Sequence, residues 1–254
     1  MSGRLTGKRI LVYGGATGIG FGCAEAMARK GARLFISGRR EHRLREAVTK
    51  LEAHGPASFA AGDATLEGDV ARVTAAAIES LGGLDVILVS AGAAAVASIE
   101  QETLAGFHRI LDANLTSTFL ATRAAVPHLK ASGGGSIIAM ASVLGLVGTR
   151  RRVAYCAAKA GIIGMVRAIA LDLADFKIRA NAICPGFLET ELTREVIAQE
   201  SDPEAMMKAR KTGNPLGRSG HPREIGALAV YLASDDAAWT TGQAFTVDGG
   251  FTAR

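Results

Sequence analysis

Arg9-Ile10-Leu11-Val12-Tyr13-Gly14-Gly15-Ala16-Thr17-Gly18-Ile19-Gly20 decides the reading of this chain. An apolar run of strand length passes straight into a glycine-rich turn, and a helical stretch over residues 18–30 follows. Glycine permits the tight turn and lets the backbone come close to a ligand. The helix start behind it offers free N–H groups and the positive end of the helix dipole to a pyrophosphate. A glycine cluster alone says little, because any turn uses glycine. Placed after a strand and before a helix, Gly14, Thr17, Gly18, Ile19 and Gly20 predict a dinucleotide-binding turn.

Outward from this turn the same alternation repeats. Gly31 stops the first helix. Residues 33–37 read as a second strand and 41–54 as a helix, 58–61 as a weak third strand and 67–81 as a helix. Residues 85–89 read as a fourth strand, wholly apolar after Asp85. A long helical region over 104–131, with Pro127 near its end, is broken by Gly133-Gly134-Gly135. Residues 136–141 are a fifth strand, 153–176 a long helix and 178–184 a sixth strand that ends at Pro185-Gly186. A polar segment over 189–213 has weak helical signals, then 222–233 is a helix and 244–247 a seventh strand. Strands alternating with helices of ten or more residues predict an α/β fold, a doubly wound parallel sheet (Rossmann fold) of about seven strands with helices on both faces. With no linker or repeat, 254 residues read as one domain, 1–254, with a small lobe at about 187–213 over the sheet's edge.

Composition narrows the function classes. The net charge of +5 admits an acidic partner, but the basic residues (Arg29/Lys30, Arg39/Arg40, Arg150 to Arg152, Arg254) are scattered and the 5% of aromatic residues are not interleaved with them, so nucleic acid is not expected as a partner. Cys23, Cys156 and Cys184 form no disulfide framework and fit a reducing cytoplasm. His42, His54, His108, His128 and His221 lack metal-ligand spacing, so no metal site is expected. No apolar run reads as a membrane span, and residues 1–8 lack the apolar core of a signal peptide, which makes the cytoplasm the expected address. No G-x-S-x-G supports a serine hydrolase. Cys156 and Trp239 read as a helix residue and a packing residue.

Two constellations carry chemistry. At the end of the second strand, where NAD-binding sites place an acidic residue against the ribose, this chain has Ser37-Gly38-Arg39-Arg40. No carboxylate in this stretch repels a 2′-phosphate and two guanidiniums can bond it, so NADP is expected over NAD. Downstream, Tyr155 and Lys159 lie four apart at the start of a helix and share one face, with Ser142 thirteen residues earlier just after the fifth strand. A free tyrosine, with a pKa of about 10, needs a neighbour such as an ammonium before it serves as an acid-base group.

Together these residues resemble the classical short-chain dehydrogenase/reductases, and the resemblance covers nearly the whole chain. Gly14-x-x-x-Gly18-x-Gly20 is similar to the family's cofactor motif, and Asp63, with Ala64 beside it, to the position that meets the adenine. Ala91-Gly92 is similar to the end of the family's N-N-A-G motif. Asn114, Ser142, Tyr155 and Lys159 match the catalytic tetrad; Pro185-Gly186, Leu188 and Thr190 match the stretch beside the nicotinamide; Leu216-Gly217-Arg218 and Val247-Asp248-Gly249-Gly250 belong to the C-terminal pattern. The resemblance implies that Tyr155 passes a proton to the substrate oxygen, that Lys159 lowers the Tyr155 pKa and bonds the nicotinamide ribose, that Ser142 orients the carbonyl, and that Asn114 anchors a water leading to Lys159. It also implies a homotetramer, with the helices holding Asn114 and Tyr155 across one interface and the C-terminal strand near another.

The chain departs from the pattern in two places. Tyr13 stands for a threonine and Val89-Ser90 for Asn-Asn, and those polar residues brace the turn and the central strands. The expected activity is an oxidoreductase moving a hydride between NADP(H) and a small-molecule carbonyl or secondary alcohol. The alternatives are an NAD-dependent alcohol or sugar dehydrogenase, a 3-oxoacyl-thioester reductase, to which subgroup the pattern is similar, and a non-catalytic dinucleotide sensor. Arg150-Arg151-Arg152, between Ser142 and Tyr155, either meets an anionic substrate group or forms a solvated loop or subunit contact.

Overall fold

Every residue of the first strand after Arg9 is apolar and buried, because the strand lies between two helical layers. Side chains alternate across it: Ile10 and Val12 enter one apolar layer, Leu11 and Tyr13 the other. The computed structural model describes residues 3–253; Met1 and Ser2, from the start segment read above, and Arg254 lie outside them.

Seven strands, β1 (Arg9–Tyr13), β2 (Arg33–Gly38), β3 (Ala57–Ala61), β4 (Val86–Val89), β5 (Gly135–Met140), β6 (Ile178–Pro185) and β7 (Ala244–Val247), form one sheet in the order β3-β2-β1-β4-β5-β6-β7. All pairings are parallel. Helices α1 (Gly18–Ala28), α2 (Glu41–Leu51) and α9 (Pro222–Ala233) cover one face; α3 (Glu67–Leu81), α5 (Ser117–Ala131) and α6 (Val153–Asp172) cover the other. The order reverses between β1 and β4, and in open α/β sheets the crevice beyond the strands' carboxyl ends at such a reversal binds ligands.

The expected long helix over 104–131 is interrupted. It runs as α4 (Leu104–Leu111), a π-helical turn over Asp112–Thr116, and α5. The cause is Asn114, whose side-chain amide donates to the Ile110 carbonyl at 2.8 Å and to the Ala93 carbonyl at 2.8 Å. A side chain that takes the i−4 carbonyl displaces the backbone ladder, and the wider turn accommodates it. The weak helical signals after residue 189 resolve into α7 (Glu191–Ile197) and α8 (Pro203–Thr212).

Two further expectations change. By length and composition α6 is apolar enough to cross a membrane, contrary to the sequence reading. Its Ala158, Ile162, Ile163 and Val166 lie buried, most of them in the apolar layer against the sheet, so here it is a core helix. Trp239, expected to pack, is fully exposed, because it follows a short 3-10 turn over Asp235–Ala237 beyond the end of α9.

Candidate active site

The catalytic and dinucleotide-binding residues singled out from the sequence all line one cleft of about 900 Å³ at the carboxyl ends of the strands, whereas Arg150, Arg151 and Arg152 do not. Turn residues Gly14 and Thr17 to Gly20 lie with Asp63 and Ala64 after β3 and with Arg39 and Arg40 after β2. Ala91 and Gly92 after β4, then Asn114, Ser142, Tyr155 and Lys159, and finally Pro185, Gly186, Leu188 and Thr190 after β6, complete the wall.

The turn is braced without the expected threonine. The Gly14 and Gly15 amides donate to the Ser37 carbonyl at 2.8 and 3.1 Å, and the Ser90 amide donates to the Tyr13 carbonyl at 2.8 Å. The Tyr13 hydroxyl points away from the cleft into α3, donating to the Val70 carbonyl at 3.1 Å and lying 2.9 Å from the Thr74 hydroxyl. Gly14 adopts a φ of +75°, and a Cβ there would meet the Ala91 amide nitrogen at 2.6 Å, so neither the conformation nor the space admits a side chain.

Farther along the cleft, Ser142 and Lys159 are buried and Tyr155 is partly buried, while Asn114 is wholly enclosed. Tyr155 and Lys159 project from the first turns of α6, and the Lys159 ammonium lies 5.5 Å from the centre of the Tyr155 ring. Lys159 Nζ donates to the Met140 carbonyl at 2.8 Å. The Ser142 hydroxyl accepts from the Leu144 amide at 3.1 Å and hydrogen-bonds the Tyr155 phenol. Asn114 Oδ1 is buried without a hydrogen-bond partner among the described residues, and a Cβ on Gly92 would fall 2.6 Å from it and 3.8 Å from Lys159 Nζ. Gly92, Asn114 and Lys159 are therefore one packed group.

Burial dominates the electrostatics. It pushes the Tyr155 pKa above its ordinary value, against the Ser142 hydrogen bond; the Cys156 thiol adds to the rise and the Arg152 charge opposes it. It pushes Lys159 down to about 8, with a small opposing contribution from Cys184. The Lys159 ammonium is turned to the Met140 carbonyl, and the phenol's net shift is upward. Cys184, also beside this group, is pushed up to about 11 by burial, which keeps it a thiol at neutral pH.

Arg40, Arg151 and Arg152 are not free as the sequence leaves them, whereas Arg150 is exposed and forms no ion pair among the described residues. Arg40 forms a two-pronged ion pair with Glu191 of α7, both contacts at 2.9 Å. Arg151 donates to Glu200 at 2.9 Å, and buried Arg152 lies 3.5 Å from Glu200 and donates to the Ala95 carbonyl at 2.9 Å. Arg151 and Arg152 thus tie the loop before α6 to the 187–213 lobe. Sequence reasoning missed Glu191, Glu200 and the Met140 and Ala93 carbonyls, since each acts through a partner distant in the chain and carries no local pattern.

The arrangement fits an extended dinucleotide. The turn at β1 presents backbone where a side chain would block it, the two basic residues stand at the end of β2, and the acid-base group sits beyond β5. A family model described as enoyl-(acyl carrier protein) reductase matches residues 14–252. The chain is 35% identical over 253 residues to the 2,5-dichloro-2,5-cyclohexadiene-1,4-diol dehydrogenase LinX of Sphingobium indicum, covering 99% of each chain. It is 34% identical over 257 residues to the NADP-dependent (R)-specific alcohol dehydrogenase of Lentilactobacillus kefiri, covering 100% of each. A crystal structure assigned to the short-chain dehydrogenase/reductases, from Burkholderia xenovorans, superposes with a TM-score of 0.95 at 31% identity, with 99% of each chain covered.

Proposed function

The chain belongs to the classical short-chain dehydrogenase/reductase family and is an NAD(P)-dependent oxidoreductase; from that premise we propose that it interconverts a carbonyl compound and the corresponding secondary alcohol with NADP(H), using Tyr155 to exchange the proton. The observation that carries this reading is the juxtaposition of Tyr155, Ser142 and Lys159 in the wall of the cleft, with Asn114 behind them. The alcohol and diol dehydrogenase activities named for its relatives support the substrate class.

The nicotinamide, when bound, supplies or accepts the hydride. This chain's residues do the rest. Gly14, Thr17, Gly18, Ile19 and Gly20 cradle the pyrophosphate, Asp63 and Ala64 border the adenine, and Arg39 and Arg40 take the 2′-phosphate. Ala91, Gly92, Pro185, Gly186, Leu188 and Thr190 hold the nicotinamide end. The Ser142 hydroxyl bonds the substrate oxygen and orients it toward Tyr155. Tyr155 holds its proton at neutral pH, as a phenol of ordinary pKa about 10 already does, and gives it to a carbonyl oxygen as that oxygen gains charge. Lys159 stabilises the phenolate left behind, and the unpartnered Asn114 Oδ1 marks the path by which a proton returns.

One sheet carries both apolar layers and the whole cleft, which supports one catalytic domain with its lobe at 187–213. Exposed Leu104 and Phe119 flank the helix that holds Asn114, and exposed Leu171 lies on α6; these support the homotetramer of the family. The free cysteines support a reducing, cytoplasmic setting.

The test is Tyr155→Phe, assayed with NADPH against a panel of ketones and followed separately by nicotinamide fluorescence. The variant should bind the dinucleotide as the parent does and lose about a hundredfold or more of turnover. Unchanged turnover would remove Tyr155 from the chemistry, and parent activity that is nil throughout would favour the sensor.

A further inference from the structure

The acidic residue missing from the end of β2 is supplied from across the cleft. Glu191, the first residue of α7, places both carboxylate oxygens 2.9 Å from the two terminal nitrogens of Arg40. The two residues are 151 positions apart and both line the dinucleotide cleft. Thr190 fixes the approach: it caps α7, exchanging hydrogen bonds with Thr193, and so aims the first turn back toward β2. Glu195, one turn on, also lines the cleft and adds its negative charge near the same guanidinium. Arg39 is exposed and forms no ion pair among the described residues.

A guanidinium that meets a carboxylate with both prongs offers the same two donors it would give a phosphate. Arg40 cannot serve both fully. A 2′-phosphate arriving at β2 therefore finds Arg39 open and Arg40 engaged, whereas a 2′-hydroxyl has no need of Arg40. We propose that Glu191 is a specificity-determining residue, which limits the preference for NADP(H) over NAD(H) by competing with the 2′-phosphate for Arg40. This rests on the reading of Arg39 and Arg40 as the 2′-phosphate site. The pair is about half exposed, so the competition is modest. Exposed pairs of this kind correspond to about a two- to fivefold change in an equilibrium constant.

The experiment is calorimetric titration of the full chain with adenosine 2′,5′-bisphosphate and with 5′-AMP, for the parent, Glu191→Gln, Arg40→Gln, Arg39→Gln and the Glu191→Gln/Arg40→Gln double variant. Glu191→Gln should tighten the bisphosphate about two- to fivefold and leave 5′-AMP unchanged, and the gain should vanish when Arg40 is also Gln. If Arg40→Gln weakens the bisphosphate alone while Glu191→Gln changes nothing, Glu191 is no competitor and the proposal falls with the arginine site intact. If Arg40→Gln and Arg39→Gln both leave the ratio of the two affinities unchanged, the arginine site itself falls and the proposal falls with it. Equal tightening of both ligands by Glu191→Gln, a general loosening of the lobe, also overturns it.

Discussion

The Lys159 side chain is 4% exposed, and the one acceptor its ammonium reaches among the described residues is the Met140 carbonyl at 2.8 Å. Burial therefore lowers its pKa from 10.5 to about 8. In the unfolded chain the amine holds its proton up to about 10.4, so between these values the unfolded state binds more protons and stability rises with pH. Below the folded value the charge is buried at full cost, on the order of 3 kcal/mol. Lys159→Met removes that cost at pH 7 but strands the Met140 carbonyl, a loss of about 1–3 kcal/mol that does not depend on pH. Thermal unfolding from pH 7 to 10 should show the parent gaining stability relative to the variant as pH rises through 8. Parallel curves would mean that the folded amine keeps the ordinary lysine pKa and is well solvated in the fold. At this scale Tyr155 and Lys159 were legible, because four residues on a helix put two side chains on one face. Lys159's carbonyl partner and Arg40's carboxylate were not, since neither partner lies near it in sequence.

Elements were legible wherever apolar spacing changes period. Helix ends moved by a few residues, as at residues 41–54, where the α-helix stops at Leu51. The π-helical turn at Asp112–Thr116 was not legible, because the apolar pattern on either side of it continues as one helix would. It exists because Asn114 is tied to two carbonyls, one of its own helix and one of the loop after β4. Gly92 in that loop fits only without a side chain, since a Cβ would lie 2.6 Å from Asn114 Oδ1. Asn114 is held at both amide hydrogens and cannot yield easily. Gly92→Ala should therefore separate the loop from the π-helical turn, costing about 1–3 kcal/mol of stability by overpacking. Misplacing the group around Lys159 should also lower kcat by about tenfold or more. Chemical denaturation and steady-state kinetics on the same preparation check this. A variant with full activity and full stability would show that the loop moves aside and that the close packing of Gly92 on Asn114 does not matter.

For the whole molecule, the alternation of strands and helices was enough to expect a parallel sheet buried on both faces, and the strands bear it out. What the sequence left unresolved was how the 187–213 segment is held. That segment contrasts with the rest: its first residues are anchored by buried Leu188, but beyond them α7 buries only Val196 and Ile197, α8 buries nothing, and ion pairs reach back to the body of the fold. These are Arg40 to Glu191 and Arg151 to Glu200, while Lys211 to Glu189 at 2.7 Å ties α8 to the start of the segment itself. Partly exposed pairs add little stability and weaken in salt, whereas the sheet is fixed by two apolar layers. Opening of the lobe should therefore occur far more often than unfolding of the sheet. In hydrogen exchange, the α8 amides should exchange orders of magnitude faster than those of β1, β4 and β5, and high salt should speed α8 while leaving the sheet unchanged. Exchange of α8 as slow as that of the sheet would mean that the ion pairs hold the lobe as firmly as the core. The lobe would then be a fixed wall of the cleft, and a substrate would have to enter by a route that does not lift α7 and α8.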